Sequence, residues 1–196
     1  MAQQPYYRDV WCLSPQMSSD SGCPGQFPRG FMTRVMERWG RGKKDRLMLF
    51  SGAFHELGWN TVDIRSEMKP TMVADCEHLP IRSSSYDLVV MDPPYSEDEA
   101  MELYGLSYVH IGKALDEAAR VLRPGGVLCF LHRLVPHCWP GESSDFRQLK
   151  IIGIVGVFNL SGMSNIRALT VWRKNGGLPG MFAPETAGEV IQFKGE

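Results

Sequence analysis

The sequence predicts an α/β chain built on one doubly wound, mostly parallel sheet, and three observations lead there. Short apolar runs alternate with segments of helical period, the pattern of successive strand-helix-strand units. One run, Leu88-Val89-Val90-Met91, is apolar without alternation, as suits a strand buried on both faces of a parallel sheet. The last two runs, 151–160 and 166–173, are joined by the five residues SGMSN. That is too short for a crossover helix, so these two strands are expected to close the sheet as an antiparallel hairpin.

A chain of 196 residues suits one domain with a full core, and its 43% hydrophobic content supports globular folding. No apolar run approaches the roughly 20 residues of a membrane-spanning helix. The start, MAQQPYYRDV, lacks the basic-then-apolar layout of a signal peptide, so a cytoplasmic protein with no membrane association is expected. The five cysteines (Cys12, Cys23, Cys76, Cys129 and Cys138) are odd in number and form no CxxC pair. His137-Cys138 has no second pair at metal-ligand spacing, so no metal site is expected.

The net charge of -1 excludes a uniformly basic nucleic-acid binder. Locally the balance differs. Residues 29–46 hold seven Lys and Arg against two acids, and Arg29, Lys43 and Lys44 are the candidate phosphate contacts there. A solvated helix face running into a basic loop explains the same residues.

Taken in order, residues 1–26 are rich in Pro, Gly and Ser and read as an N-terminal arm. Tyr6, Tyr7 and Trp11 suggest that part of it packs on the domain or on a ligand. A helix is expected from Pro28 to Trp39, stopped by Gly40. Strands follow at 46–51, 60–65 and 72–75, with a compact turn and short helix over 51–58. The central strand ends at DPPY, residues 92–95. An acidic, mobile-looking segment, 96–105, leads to a helix over 108–122. The turn Arg123-Pro-Gly-Gly precedes a fifth strand, 127–131, and residues 132–146 form a loop. The domain is expected to span residues 27–175, with residues 176–196 as a flexible tail.

The DPPY turn is the centre of the functional argument. Two prolines stop the strand, because neither can donate to a ladder and each restrains the residue before it. The rigid turn presents the Asp92 carboxylate, the carbonyls of Asp92 and Pro93, and the Tyr95 ring. In open α/β sheets ligands bind beyond the carboxyl ends of strands, so these groups stand where chemistry usually occurs. Asp, Pro and Tyr also suit an ordinary turn, and only the surrounding motifs raise the functional reading above that one.

Those motifs resemble the class I methyltransferases that use S-adenosylmethionine, in the branch that methylates exocyclic amino groups of nucleobases. DPPY looks like that branch's catalytic motif, Asp92, Pro93, Pro94 and Tyr95. LFSGAFHELG (49–58) is similar to the family's glycine loop. VDI (62–64) and VADCEHLP (73–80) are similar to its cofactor-binding strand ends. ARVLRPGGVLCFLH (119–132) is similar to the helix-turn-strand that follows, and CPGQFPRGF (23–31) to the segment before the first strand.

The resemblance implies a single Rossmann-like class I methyltransferase domain, with a seven-stranded sheet ending in the hairpin. It implies S-adenosylmethionine lined by Phe50, Ser51, Gly52, Asp63, Ile64, Asp75, Cys76 and Asp92. Asp63 would accept from the ribose hydroxyls and Asp75 from the adenine amino group. The glycine loop departs from the family's pattern. Met48 stands where an acidic residue is usual, and Phe54 where a second glycine is usual.

The implied chemistry is methylation of an exocyclic amine, with Asp92 and the Pro93 carbonyl accepting its hydrogens and Tyr95 stacking on the extruded base. Adenine N6 in DNA is the first choice and an RNA base the next. A protein glutamine or a small-molecule amine comes after these, and then a non-catalytic nucleic-acid-binding subunit. No long target-recognition region is visible. Recognition would come from the arm, the basic stretch, the loop 132–146, a second copy in a homodimer or a partner subunit.

Overall fold

The computed structural model describes residues 6–14, 27–105, 107, 109–136, 145–159 and 166–176. Eight strands form one sheet: β1 (Tyr7–Leu13), β2 (Arg46–Leu49), β3 (Asn60–Asp63), β4 (Met72–Val73), β5 (Tyr86–Met91), β6 (Leu122–His132), β7 (Leu149–Asn159) and β8 (Arg167–Lys174). Their order is β1-β7-β8-β6-β5-β2-β3-β4. Every neighbouring pair is parallel except the two made by β8. The expected α/β sheet with its closing hairpin is what forms.

The strand count corrects the expectation of seven. β1 lies inside the segment read as an arm and pairs in parallel with β7 from Tyr7↔Gly153 to Leu13↔Asn159. Its face toward the domain carries Trp11 and Leu13, 2% and 4% exposed, while Arg8, Val10 and Cys12 point to solvent. An edge strand buried on one side has few apolar residues, so its signal is lost among the prolines and serines around it.

Helices cover both faces. Strand alternation sends Met48, Leu88, Val90, Val127, Cys129 and Leu131 toward α1 (Phe31–Trp39), where Phe31, Val35 and Trp39 meet them. Leu47, Leu49, Val89, Met91, Leu128 and Phe130 face α3 (Ile111–Val121) and its Ala114, Leu115, Ala118 and Ala119. Small alanines let α3 lie close on the central strands, which explains why those strands read as continuously apolar.

Three local expectations are corrected. No helix forms over 51–58, so ten residues carry the chain from β2 to its parallel neighbour β3. A helical crossover usually needs a dozen residues or more. Aromatic rings fill the space instead. Phe27 stacks on Phe31 at 4.8 Å, while Phe54 meets Phe27 edge-on at 6.4 Å and Trp59 edge-on at 5.5 Å.

Conversely, the acidic stretch after DPPY is a helix, α2 (Glu97–Tyr104). The Ser96 hydroxyl accepts from the Glu99 N–H at 3.1 Å, three acidic residues occupy the first turn, and Gly105 closes the end at φ 64°. Ser-x-x-Glu is a capping signature, and acids favour the positive end of a helix. The turn at 123–126 is also no interruption: β6 runs through it, with Gly125 at φ 76° and a register shift opposite Tyr86 and Leu88. No helix among the described residues is long and apolar enough to cross a membrane.

Candidate active site

The sheet order reverses between β2 and β5. From β2 the chain moves outward to β3 and β4, then returns to β5 and continues through β6 on the other side. The carboxyl ends of the two strands at such a switch point diverge into a crevice. Leu49 pairs with Met91, so residues 50–52 and the DPPY turn emerge side by side there. Leu49 also pairs with Val62, and Asp63 with Val73, which brings Asp63 and Asp75 to the same edge.

The Asp92 side chain is only 8% exposed. Its Oδ1 accepts from the Tyr95 hydroxyl at 2.6 Å, and that hydroxyl accepts from Arg167 Nη1 at 3.1 Å. Arg167 itself stands 3.9 Å from Asp92 Oδ2, beyond hydrogen-bond length. Burial pushes Asp92 up to about 7, opposed by the Arg167 charge and the Tyr95 hydrogen bond and assisted by nearby Glu99. Burial, with the Asp92 charge beside it, also raises Tyr95, so its phenol stays protonated.

Neighbouring elements hold the turn. The Tyr95 N–H donates to Glu99 Oε2 of α2 at 2.8 Å. The Tyr95 ring meets His132 edge-on at 5.2 Å, and the Arg133 guanidinium lies over it at 5.1 Å. Of the stacking platform that the resemblance implies, one face is therefore covered by Arg133. His132 stacks on Phe130 at 5.2 Å, and its Nδ1 accepts from the Leu134 N–H at 3.0 Å, leaving the proton on Nε2. Burial and then Arg133 lower its pKa, so the ring is neutral near pH 7. The Pro94 backbone acts to raise that pKa, but Nε2 closes no hydrogen bond of ordinary geometry among the described residues.

The loop after β2 is built for close approach. Phe50 and Gly52 both adopt positive φ, 56° and 48°. Ser51 is 5% exposed, and its hydroxyl is buried without a hydrogen-bond partner among the described residues. A buried hydroxyl left open in a cradle of backbone is what a polar ligand would complete. Asp75 is half exposed; its Oδ1 accepts from the Glu77 N–H at 2.8 Å, and His78 Nδ1 stands 3.7 Å from its Oδ2. Ile64 is exposed at 51%, while the Cys76 thiol is buried and pushed up to about 12. Phe50, Ser51, Gly52, Ile64 and Asp75 stand at the edge where the sequence resemblance would place a nucleoside cofactor, and Cys76 is buried in the core cluster against which Phe50 packs.

Asp63 is differently placed. It accepts from the Gly52 N–H at 2.8 Å, the Arg65 N–H at 3.0 Å, Arg65 Nε at 3.0 Å and Arg65 Nη2 at 3.3 Å. A carboxylate offers about four lone-pair sites, and all are used. Ribose hydroxyls would reach it only in place of Arg65.

The basic candidates do not gather at the crevice. Lys43 Nζ donates to the Gly125 carbonyl, and the Lys44 N–H to Asp87, both at the opposite edge of the sheet where the parallel strands begin. Arg29 is exposed beside Ser14, near the end of β1. Arg34 and Arg38 lie over the rings of Trp11 and Tyr7. Sequence reasoning missed Arg167, His132, Glu99 and Arg65. His132 could have been found, since it closes the strand beside DPPY; Arg167 had no local signal.

Comparison with known proteins agrees with this geometry. Residues 50–130 match the family profile described as a methyltransferase domain. The fold is similar to that of the methyltransferase solved in complex with the Haloferax volcanii Trm112 methyltransferase activator. That match has 16% identity and a TM-score of 0.52, covering 74% of this chain and 88% of the other. It is also similar to TrmN from Thermus thermophilus, with 15% identity and a TM-score of 0.51, covering 77% of this chain and 50% of the other. No curated protein matches the chain. The chain thus has the Rossmann-like fold of the class I methyltransferases, its residues 50–130 match a methyltransferase-domain profile, and the cofactor these support is S-adenosylmethionine.

Proposed function

We propose that the protein methylates an exocyclic amino nitrogen of a nucleobase, with adenine N6 in DNA as the first choice. The observation that carries this reading is the buried Asp92 carboxylate at the switch point, beside the 50–52 loop, with Oδ2 outside hydrogen-bond length of the nearest cation among the described residues. An amine conjugated to a ring is a poor nucleophile, because its lone pair is delocalised. Asp92 Oδ2 and the Pro93 carbonyl would accept its two hydrogens and localise that pair on nitrogen. Bound S-adenosylmethionine supplies an electrophilic methyl group at this edge. As nitrogen forms its new bond it gives up a proton, and a carboxylate poised near 7 can take it. Most of the rate would then come from orientation and fixed electrostatics.

Target recognition is assigned to a partner subunit. The cationic candidates Lys43 and Lys44 sit away from the crevice, and one protein of similar fold was solved with an activator.

The test is to incubate the purified protein with methyl-labelled S-adenosylmethionine and, separately, duplex DNA, single-stranded DNA, total RNA and protein extract. Label in DNA that disappears in Asp92→Ala is the expected result. Label in RNA alone would replace the DNA choice. Label confined to protein would overturn the nucleobase reading in favour of an amide substrate.

A further inference from the structure

We propose that Arg167 is the positioning residue of the DPPY turn: acting through the Tyr95 hydroxyl, it holds Asp92 as a carboxylate with Oδ1 tied down and Oδ2 left for the substrate amine. This rests on the reading of Asp92 as the amine acceptor.

The topology makes the contact non-local. Arg167 opens β8, which is separated from β5 by the whole of β6. Its side chain, 14% exposed, therefore crosses above the end of β6 to reach the turn. A guanidinium so buried needs a partner, and among the described residues the only carboxylate within ion-pair distance is Asp92 at 3.9 Å. The pair is completed by a relay, in which Arg167 Nη1 donates to the Tyr95 hydroxyl and that hydroxyl donates to Asp92 Oδ1. Chains of hydrogen bonds ending on a charge strengthen one another in a dry site. The relay fixes one carboxylate oxygen and the tyrosine rotamer together.

The other groups around Asp92 and its turn cannot replace this cation. Glu99 from α2 repels the carboxylate. His132, at the end of β6, is neutral near pH 7, and Arg133 lies over the Tyr95 ring. Burial pushes Asp92 toward its acid form, and against it the Arg167 charge is the larger of two opposing contributions, ahead of the Tyr95 hydrogen bond. An opposite charge at this range moves a carboxylate by about 1–3 pH units.

The experiment reads Asp92 directly. The protein is labelled with 13C at aspartate Cγ, its Asp92 signal is identified by loss in Asp92→Asn, and the signal is titrated by NMR. The wild-type midpoint is expected near 7. In Arg167→Met it rises by about 1 unit or more, and in Arg167→Lys it returns most of the way. Tyr95→Phe, which cuts the relay but keeps the charge, gives a smaller rise and decides the matter if Arg167→Met does not fold. S-adenosylmethionine affinity by calorimetry stays within a few-fold in the Arg167 variants. An unchanged midpoint in folded Arg167→Met, or in Tyr95→Phe where only that variant folds, overturns the proposal. If the midpoint moves but Asp92→Ala still transfers label at the wild-type rate, the positioning role stands and the amine-acceptor reading fails.

Discussion

Asp63 and Asp92 invite comparison, because each is an aspartate closing a parallel strand at the same edge of one sheet. Their side chains are almost equally buried, 5% and 8% exposed. Asp63 is surrounded by four nitrogen donors, three of them from Arg65 and one from the Gly52 backbone. Among the described residues Asp92 has one hydroxyl in hydrogen-bond reach and one guanidinium beyond it, and burial pushes it to about 7. A carboxylate whose lone pairs are all taken acts as a brace. One left short of donors in a dry place keeps both an open oxygen and a proton affinity useful for chemistry.

The contrast can be broken most directly at Asp92. Asp92→Asn keeps the shape and the Tyr95 contact but removes the negative charge, so methyl transfer should fall by roughly 10³-fold with little change in melting temperature. Full activity in that variant would make Asp92 another brace. At Asp63 the expected loss is of stability. Asp63→Ala removes the carboxylate that braces the Gly52 N–H and the Arg65 side chain, which should lower unfolding free energy by about 3 kcal/mol in a denaturant melt. A loss well under 1 kcal/mol, with cofactor affinity abolished, would show that Asp63 is a ligand and not a brace.

The pH profile sharpens the comparison further. Because burial raises Asp92, its acceptor form is lost as pH falls through about 7, so transfer should drop about tenfold per unit below that midpoint. An acid limb near the ordinary aspartate value of about 4 would mean that the site is wetter than its geometry indicates.

The central site was legible in sequence because its logic is local. Two prolines after an apolar run stop a strand wherever it lies, and Asp92, Tyr95, Ser51 and Gly52 follow from strand ends that sequence can mark. α2 is harder to read although its signature is local: Ser96 and Glu99 form the capping pattern, but a run of acidic residues suits a mobile segment equally well. β1 was hidden for the opposite reason, since an edge strand needs apolar residues on one face only. The aromatic filling of the β2–β3 connection was unreadable too, because Phe27, Phe31, Phe54 and Trp59 meet from separate segments.

By itself, then, the sequence determined the class of sheet, the closing hairpin and the two turns that meet at the switch point. These depend on periodicity and backbone restriction, which act over a few residues. Only the tertiary structure decided that Asp63 is saturated, that Lys43 and Lys44 lie at the far edge, and that Arg167 reaches across β6 to Tyr95 and Asp92. Donor counts, burial and the field at a carboxylate are set by residues distant in the chain, and packing alone brings those together.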